Sequence, residues 1–377
     1  MKFAVLPSPS SSNNSERIGE ITFEEYPDKK FSTPTYIVQT RKGSVPCITC
    51  DHFDELIGNL FAGSNESVIL NMNYWDLMEN PSLEILTKYL EKNPTKTLKN
   101  YLHLEKYPFF QSIRNVEFPY PTSNANEKGI YADLEKGRSK FTDAEFCNHT
   151  FNMFKPDIFI GIHDTNIKCK VNDSFGTSKQ LKRAKTSTEK WGETCIKKRQ
   201  ELVDKQQTGI PEMIYSVFYE SEEMTSLIPE VFQNNTDNIK GINFDIGHMD
   251  DLEKIVKIKE SLKNQKCDLE KLVFFISGKD HPLEVLECVS RGVDIFDGIY
   301  PFTIAEMGMA SMYPLELPND NPEKVKMTIN LRDRNFEKDF TPLESTCTCF
   351  TCRNHTRGYI HHLLNTHEML GDILLTM

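Results

Sequence analysis

The sequence predicts an α/β fold, specifically a (β/α)8 TIM-type barrel, and three observations lead there. Short apolar runs without in/out alternation recur through the second half: "PDIFIGIH" (156–163), "MIYSVFY" (213–219), "IKGINFDI" (239–246), "KLVFFIS" (271–277) and "GVDIFDGI" (292–299). Runs of that kind are strands buried on both faces, as in a parallel sheet. Helix-favouring charged stretches separate them, and 377 residues suffice for one large barrel. No glycine-rich phosphate loop follows any of these strands, which disfavours an open doubly wound sheet.

Taken in order, residues 1–17 read as a flexible N-terminal segment, because "PSPSSSNNSE" (7–16) is polar and rich in Pro and Ser. Residues 18–377 read as one barrel domain that includes the tail 347–377. "PTYIVQT" (34–40) is strand-like, whereas the stretch from 60 to 130 offers no clean periodicity. A long helix is expected from about Ser178 to Lys205, with others near 222–233, 249–264 and 281–291.

The chain carries a net charge of −11, which argues against holding nucleic acid alone, since phosphate binding is driven by Lys and Arg. Local basic clusters (Lys179, Lys182, Arg183, Lys185, then Lys197, Lys198, Arg199) read as a solvated helix face. Any RNA contact is expected to be shared with a more basic partner. No apolar run approaches the ~18–20 residues of a membrane span, and the N-terminus lacks a signal-peptide core. Cys147, Cys169, Cys195, Cys267 and Cys288 are scattered singly, as thiols in a reducing compartment would be. The expected location is cytoplasmic.

The tail "CTCFTCRNHTRGYIHHLLNTHEMLG" places Cys347, Cys349 and Cys352 on one tight turn. Thiolates converging in this way suit a structural zinc ion, which usually takes four Cys or His ligands. His355 could supply a fourth ligand, whereas His361, His362 and His367 read as core or surface histidines. Cys47-Ile-Thr-Cys50 has no second pair beside it and reads as a decoy. Downstream, Tyr359, Leu363, Leu370 and Leu374 form an apolar stripe expected to pack on another surface, a partner's or, in the alternative, only its own barrel's.

This tail strongly resembles the zinc segment of the tRNA-guanine transglycosylases, the queuine tRNA-ribosyltransferase family. "RGVDIFDGIYP" resembles the family strand that carries its nucleophilic Asp, and "PDIFIGIHDT" the strand that ends in its base-binding Asp. "RAKTSTEKW" is similar to the helix after it, and "TPTYIVQTRKGSVPCIT" to the first barrel strand and turn. The resemblance implies a barrel with one zinc per subunit. It also implies a His ligand 26 positions after the third Cys, which from Cys352 falls one residue past Met377. His367 cannot replace it, being about 16 Å away along a helix axis. His355, a water or the terminal carboxylate of Met377 are the candidates to complete the site; a chain shortened at this end is the blunter explanation.

The family reaction, a pentosyl transfer, exchanges guanine for queuine at the wobble position of tRNA anticodons. One Asp acts as nucleophile and a second assists proton transfer. Asp297 matches the nucleophile and Asp164 the base-binding Asp, but the surrounding motifs are eroded. The Arg of the family's P-T-R is absent from Pro301-Phe302-Thr303. D-S-G-G-[FY]-Q has no counterpart, "NMNYWDLM" (71–78) being the nearest region, and "YSVFYES" (215–221) lacks the Gln-Gly-Gly of the base-binding loop. Asp297 and Asp164 are therefore expected to be vestigial. The resemblance implies a non-catalytic accessory subunit that forms a heterodimer with a catalytic subunit and meets tRNA through that complex. The alternative is an active transglycosylase using Asp297. The family also implies peripheral association with the cytosolic face of the mitochondrial outer membrane.

Overall fold

The structure, a computed structural model, describes residues 1–7, 16–113, 129–134, 137–164, 178–217, 235, 237–244, 252–264, 267–279, 281–312 and 327–377. The chain divides into two compact units, residues 1–45 with 50–298, and residues 46–49 with 299–377.

The first unit opens with an antiparallel sheet of β1 (Lys2–Leu6), β2 (Ile18–Thr22) and β3 (Phe31–Thr33). The flexible segment expected over 1–17 is thus corrected at its start. Phe3 and Val5 lie on one face of β1 and reach apolar neighbours, which holds the strand in register with β2. Most of the Pro/Ser-rich stretch lies outside the described residues.

Eight strands then close a parallel barrel. They are β4 (Thr35–Gln39), β5 (Leu70–Asn73) and β6 (Phe109–Ser112), then, after a hairpin of β7 (Ile130–Leu134) and β8 (Gly137–Phe141), β9 (Ile158–Ile160), β10 (Glu212–Val217), β11 (Ile239–Phe244), β12 (Val273–Ile276) and β13 (Ile295–Gly298). Neighbours pair in chain order, and β13 returns to β4, Ile295 opposite Thr35 and Gly298 opposite Val38. This is the predicted α/β barrel. The five apolar runs are β9 to β13, and "PTYIVQT" is β4. The helix expected from Ser178 spans Ser178–Asp204, and that near 249–264 spans Glu253–Asn264. The helix near 222–233 lies outside the described residues.

Inside the barrel, Ile37, Phe110, Ile158, Ile160, Ile214, Val273, Phe275 and Ile295 pack in one cluster with Phe3, Ile21, Phe23 and Phe31 of the opening sheet. That sheet therefore closes the N-terminal end of the barrel. Buried ion pairs secure the same end. Lys99 bonds Asp157 and the Tyr26 hydroxyl, and Arg17 grips Asp294 while donating to the carbonyls of Leu269 and Leu272. The basic helix is divided: Arg183 and Lys197 are exposed, but Arg199 is buried and bonds Glu212, Asn238 and the Pro211 carbonyl. Lys179 and Lys182 lie outside the described side chains.

The second unit contains the helix Tyr300–Glu306 and an antiparallel pair, β14 (Met309–Ser311) with β15 (Thr328–Asn330). Three short helices end it: Phe350–Asn354, Arg357–Asn365 and Met369–Thr376. Its core joins Ala310, Leu331, Leu343, Ile360, Leu363, Leu364 and Leu374.

Candidate metal centre

The sequence places three soft donors around one short helix, and the fold makes them converge. Cys349 is the residue before the helix Phe350–Asn354, and its sulfur accepts the backbone N–H of Cys352 at 3.4 Å. The capping bond turns Cys352 back towards Cys349, with Cys347 two residues further upstream. The three Sγ atoms lie within 4.8 Å of one another. Tetrahedral zinc–thiolate bonds near 2.3 Å put sulfurs roughly 3.8 Å apart, so small side-chain rotations suffice to enclose an ion. Burial pushes the Cys352 thiol up to about 12, while the backbone amide of Cys349 holds the Cys347 thiol below its ordinary value. A metal would displace these protons. The residues fit a thiophilic ion.

The centre is built into the core of its own unit. Cys352 packs against the cluster that contains Leu374, and the Thr351 hydroxyl donates to the Leu374 carbonyl at 2.7 Å. Gly358, in the first turn of the next helix, sits close under neighbouring backbone: an added Cβ would stand 3.0–3.3 Å from the carbonyls of Asp339, Phe336 and Glu337, tighter than most such contacts. His361 is committed elsewhere: its Nδ1 faces the Leu331 carbonyl and its Nε2 the Asn365 amide, both at 2.8 Å. His355 lies between the rings of Phe350 and Tyr359, stacked on the latter at 5.4 Å. Among the described residues no further His, Cys, Asp or Glu side chain joins the three sulfurs. Cys50 is not part of any metal cluster there; its thiol donates to the Leu102 carbonyl.

The apolar stripe expected to face a partner is corrected. Leu363 is 6% exposed and Leu374 1%, because both fill the core of this unit. Tyr359 and Leu370 remain exposed, as do Phe350 and Met369.

In the first unit, Asp297 closes β13 and Asp164 follows β9, both buried at the C-terminal end of the barrel. Active sites of this fold form at that end. They stand on non-adjacent strands, with β10, β11 and β12 between them. An Asp297 carboxylate oxygen accepts the Gly278 N–H at 2.8 Å, and the Asp164 N–H donates to the Thr188 hydroxyl.

Around them runs a set of neutral polar side chains that sequence reasoning missed. Two residues beyond the inward Ile37, Ile69, Ile214 and Phe275 stand Gln39, Asn71, Ser216 and Ser277. Gln39 accepts from the Asn71 amide at 2.6 Å. His163, Ser216, Asn243 and Ser277 form a chain with links of 3.0, 3.1 and 3.3 Å. The available signal was a polar residue recurring two places after an inward apolar one. At the end of β5, where the D-S-G-G-[FY]-Q motif would supply its Asp, the strand carries Asn71 and Asn73.

Comparison with known proteins agrees with the geometry. The sequence model of the family described as Queuine tRNA-ribosyltransferase matches residues 12–377. A human protein named queuine tRNA-ribosyltransferase accessory subunit 2 is 25% identical, the match covering 97% of this chain and 90% of that one. Its namesakes in Drosophila virilis (26% identical, 100% and 84% covered) and Xenopus tropicalis (25%, 96% and 89%) are similar. With a closed parallel barrel, a three-cysteine cluster in its tail and a family match over nearly its full length, this chain belongs to the queuine tRNA-ribosyltransferase family.

Proposed function

We propose that this chain is the non-catalytic accessory subunit of a queuine tRNA-ribosyltransferase heterodimer, in which a catalytic partner exchanges guanine for queuine at the tRNA wobble position. The mouth of the barrel carries this reading. Where the reaction needs a nucleophile and a second carboxylate, Asp297 is tied to a backbone amide and β5 offers only amides. A nucleophile without its proton partner and base cradle loses the positioning that such sites depend on. The names of the relatives support the same division of labour.

The three thiolates hold one zinc per subunit, which fixes the terminal helices. The surface offered to the partner is the row Phe350, His355 and Tyr359, whose rings follow one another at 5.6 and 5.4 Å and whose aromatic members are 53% and 41% exposed. Transfer RNA is met through the complex. The location is cytoplasmic, with peripheral association at the mitochondrial outer membrane inherited from the family resemblance. Among the described residues no helix is long and apolar enough to cross a membrane. Release of the protein from mitochondria by an alkaline wash would support the peripheral reading, and retention would overturn it.

The central test is guanine exchange into tRNA by the chain alone, by a catalytic family member alone, and by the two mixed. Activity that requires mixing and survives Asp297→Ala in this chain supports the proposal. Exchange by the chain alone that vanishes in Asp297→Ala would establish the active-enzyme alternative.

A further inference from the structure

The scattered-thiol expectation fails at one place in the barrel unit. Cys147 and Cys195 lie 48 residues apart in sequence, yet their sulfurs are 3.6 Å apart, both within hydrogen-bond contact and both buried. The fold builds this approach from two helices. Thr142 caps the helix Asp143–Asn148 through a reciprocal bond with Glu145. Asp143 and Cys147 are four residues apart, so they share one face of that helix. That face lies on the helix Ser178–Asp204: Asp143 accepts the Thr194 hydroxyl at 2.9 Å, and Cys147 meets Cys195 one residue on. The same long helix is tied to the end of β9 through the Thr188 hydroxyl, which accepts the Asp164 N–H at 3.0 Å. The pair thus links the first helix to one held at the barrel end where Asp164 lies.

We propose that Cys147 and Cys195 form a redox-modifiable dithiol that a peroxide converts into an intrachain disulfide, latching the two helices together. A disulfide needs the sulfurs about 1.5 Å closer than they stand, a shift that side-chain rotation can supply. Cys147, the slightly more exposed of the two at 3% against 0%, is attacked first. Its sulfur takes one peroxide oxygen and becomes a sulfenic acid while the other oxygen leaves as water. The Cys195 sulfur then attacks the sulfenyl sulfur. The S–O bond breaks, and the departing hydroxide combines with the Cys195 proton as a second water. Two thiols and one hydrogen peroxide give one disulfide and two waters. Contact with Cys147 together with complete burial pushes the Cys195 thiol up, which slows its attack on the sulfenyl sulfur in the second step.

The experiment uses the full chain loaded with zinc. It is treated with graded hydrogen peroxide, alkylated after denaturation, digested without reductant and mapped by mass spectrometry. The expected product is a peptide pair joining Cys147 to Cys195, two hydrogens lighter than the sum of its parts and fully reversed by dithiothreitol. The oxidised protein should melt at a higher temperature than the reduced one, and Cys195→Ser should lose that shift and accumulate a dimedone-trapped sulfenic acid at Cys147. If both cysteines remain alkylatable at doses that oxidise Cys347, Cys349 and Cys352, the proposal is wrong. Capture of Cys147 by any other cysteine would overturn it equally. The wild-type map decides the question even if the variant does not fold.

Discussion

Replacing Cys349 by Ser should separate two roles that this residue fills at once. Its sulfur caps the helix Phe350–Asn354 by accepting the Cys352 N–H, and it is one of three converging donors. A serine oxygen caps at least as well, so Cys349→Ser removes ligation and retains the cap, whereas Cys349→Ala removes both. Loss of a cap costs about 1 kcal/mol. Loss of a metal present at a hundredfold to a thousandfold above its dissociation constant costs about 2.7–4.1 kcal/mol. For a unit of roughly 80 residues each kcal/mol is worth about 4–8 °C. The terminal unit of Cys349→Ser should therefore melt roughly 10–30 °C below the loaded wild type and coincide with wild type in chelator. Cys349→Ala should fall a further ~5 °C. Plasma emission for zinc stoichiometry and calorimetry with and without chelator are the assays. One zinc per chain in Cys349→Ser, or a wild-type melting profile indifferent to chelation, would refute the reasoning.

Three other outcomes are expected. Tyr359→Asp should weaken the heterodimer at least tenfold by analytical ultracentrifugation and leave the melting temperature of the isolated chain within a degree or two, since Tyr359 is 41% exposed. Leu363→Asp should instead unfold the terminal unit, because Leu363 belongs to its core. Lys259 is pushed down to about 8 by burial, with Arg17 adding repulsion. Its charged form is disfavoured in the fold, so its stability penalty is complete below pH 8 and disappears as the pH rises towards 10.5. Lys259→Met should raise the unfolding free energy read from urea denaturation at pH 7 by up to ~3 kcal/mol, less the lost bond to the Arg291 carbonyl, with a smaller gain at pH 9.5; an equal gain at both would discount the titration.

Legibility of the sequence followed the chemistry of each strand. β9 to β13 were readable because they are unbroken apolar text, and β4 because Tyr36, Ile37 and Val38 sit together. β5 and β6 were not, since "LNMN" and "FFQS" bury Asn71, Asn73, Gln111 and Ser112 as completely as their apolar neighbours. A buried amide satisfied by another strand's amide looks in one dimension like a loop residue. The three cysteines were legible because ligand convergence is local, within six residues. The Cys147–Cys195 contact was hidden because it depends on two helices meeting. The apolar stripe was misread for a related reason: spacing shows that residues share a helix face but not whether that face meets its own core or a partner.

The same contrast explains how such a chain can lose one site and retain another. At the barrel mouth, neutral groups close on each other, Gln39 on Asn71 and Ser216 on Asn243 and His163. These bonds hold the mouth together without a reacting carboxylate pair, while Asn71 Oδ1, Asn73 Nδ2 and Gln111 Oε1 stay buried with no hydrogen-bond partner among the described residues. Erosion of catalysis there leaves the barrel intact. In the terminal unit, by contrast, Cys352 packs against the Leu374 cluster and Thr351 holds the last helix. A change at the thiolates would loosen the helices that present Phe350 and Tyr359. On the proposed function, assembly should depend on the cysteines and not on Asp297. Two substitutions in the same chain test this directly: Cys352→Ser should abolish activity of the mixed subunits by preventing assembly, while Asp297→Asn should leave both assembly and turnover within twofold of wild type. Loss of turnover in Asp297→Asn with assembly intact would show that the mouth of this barrel still contributes to the chemistry.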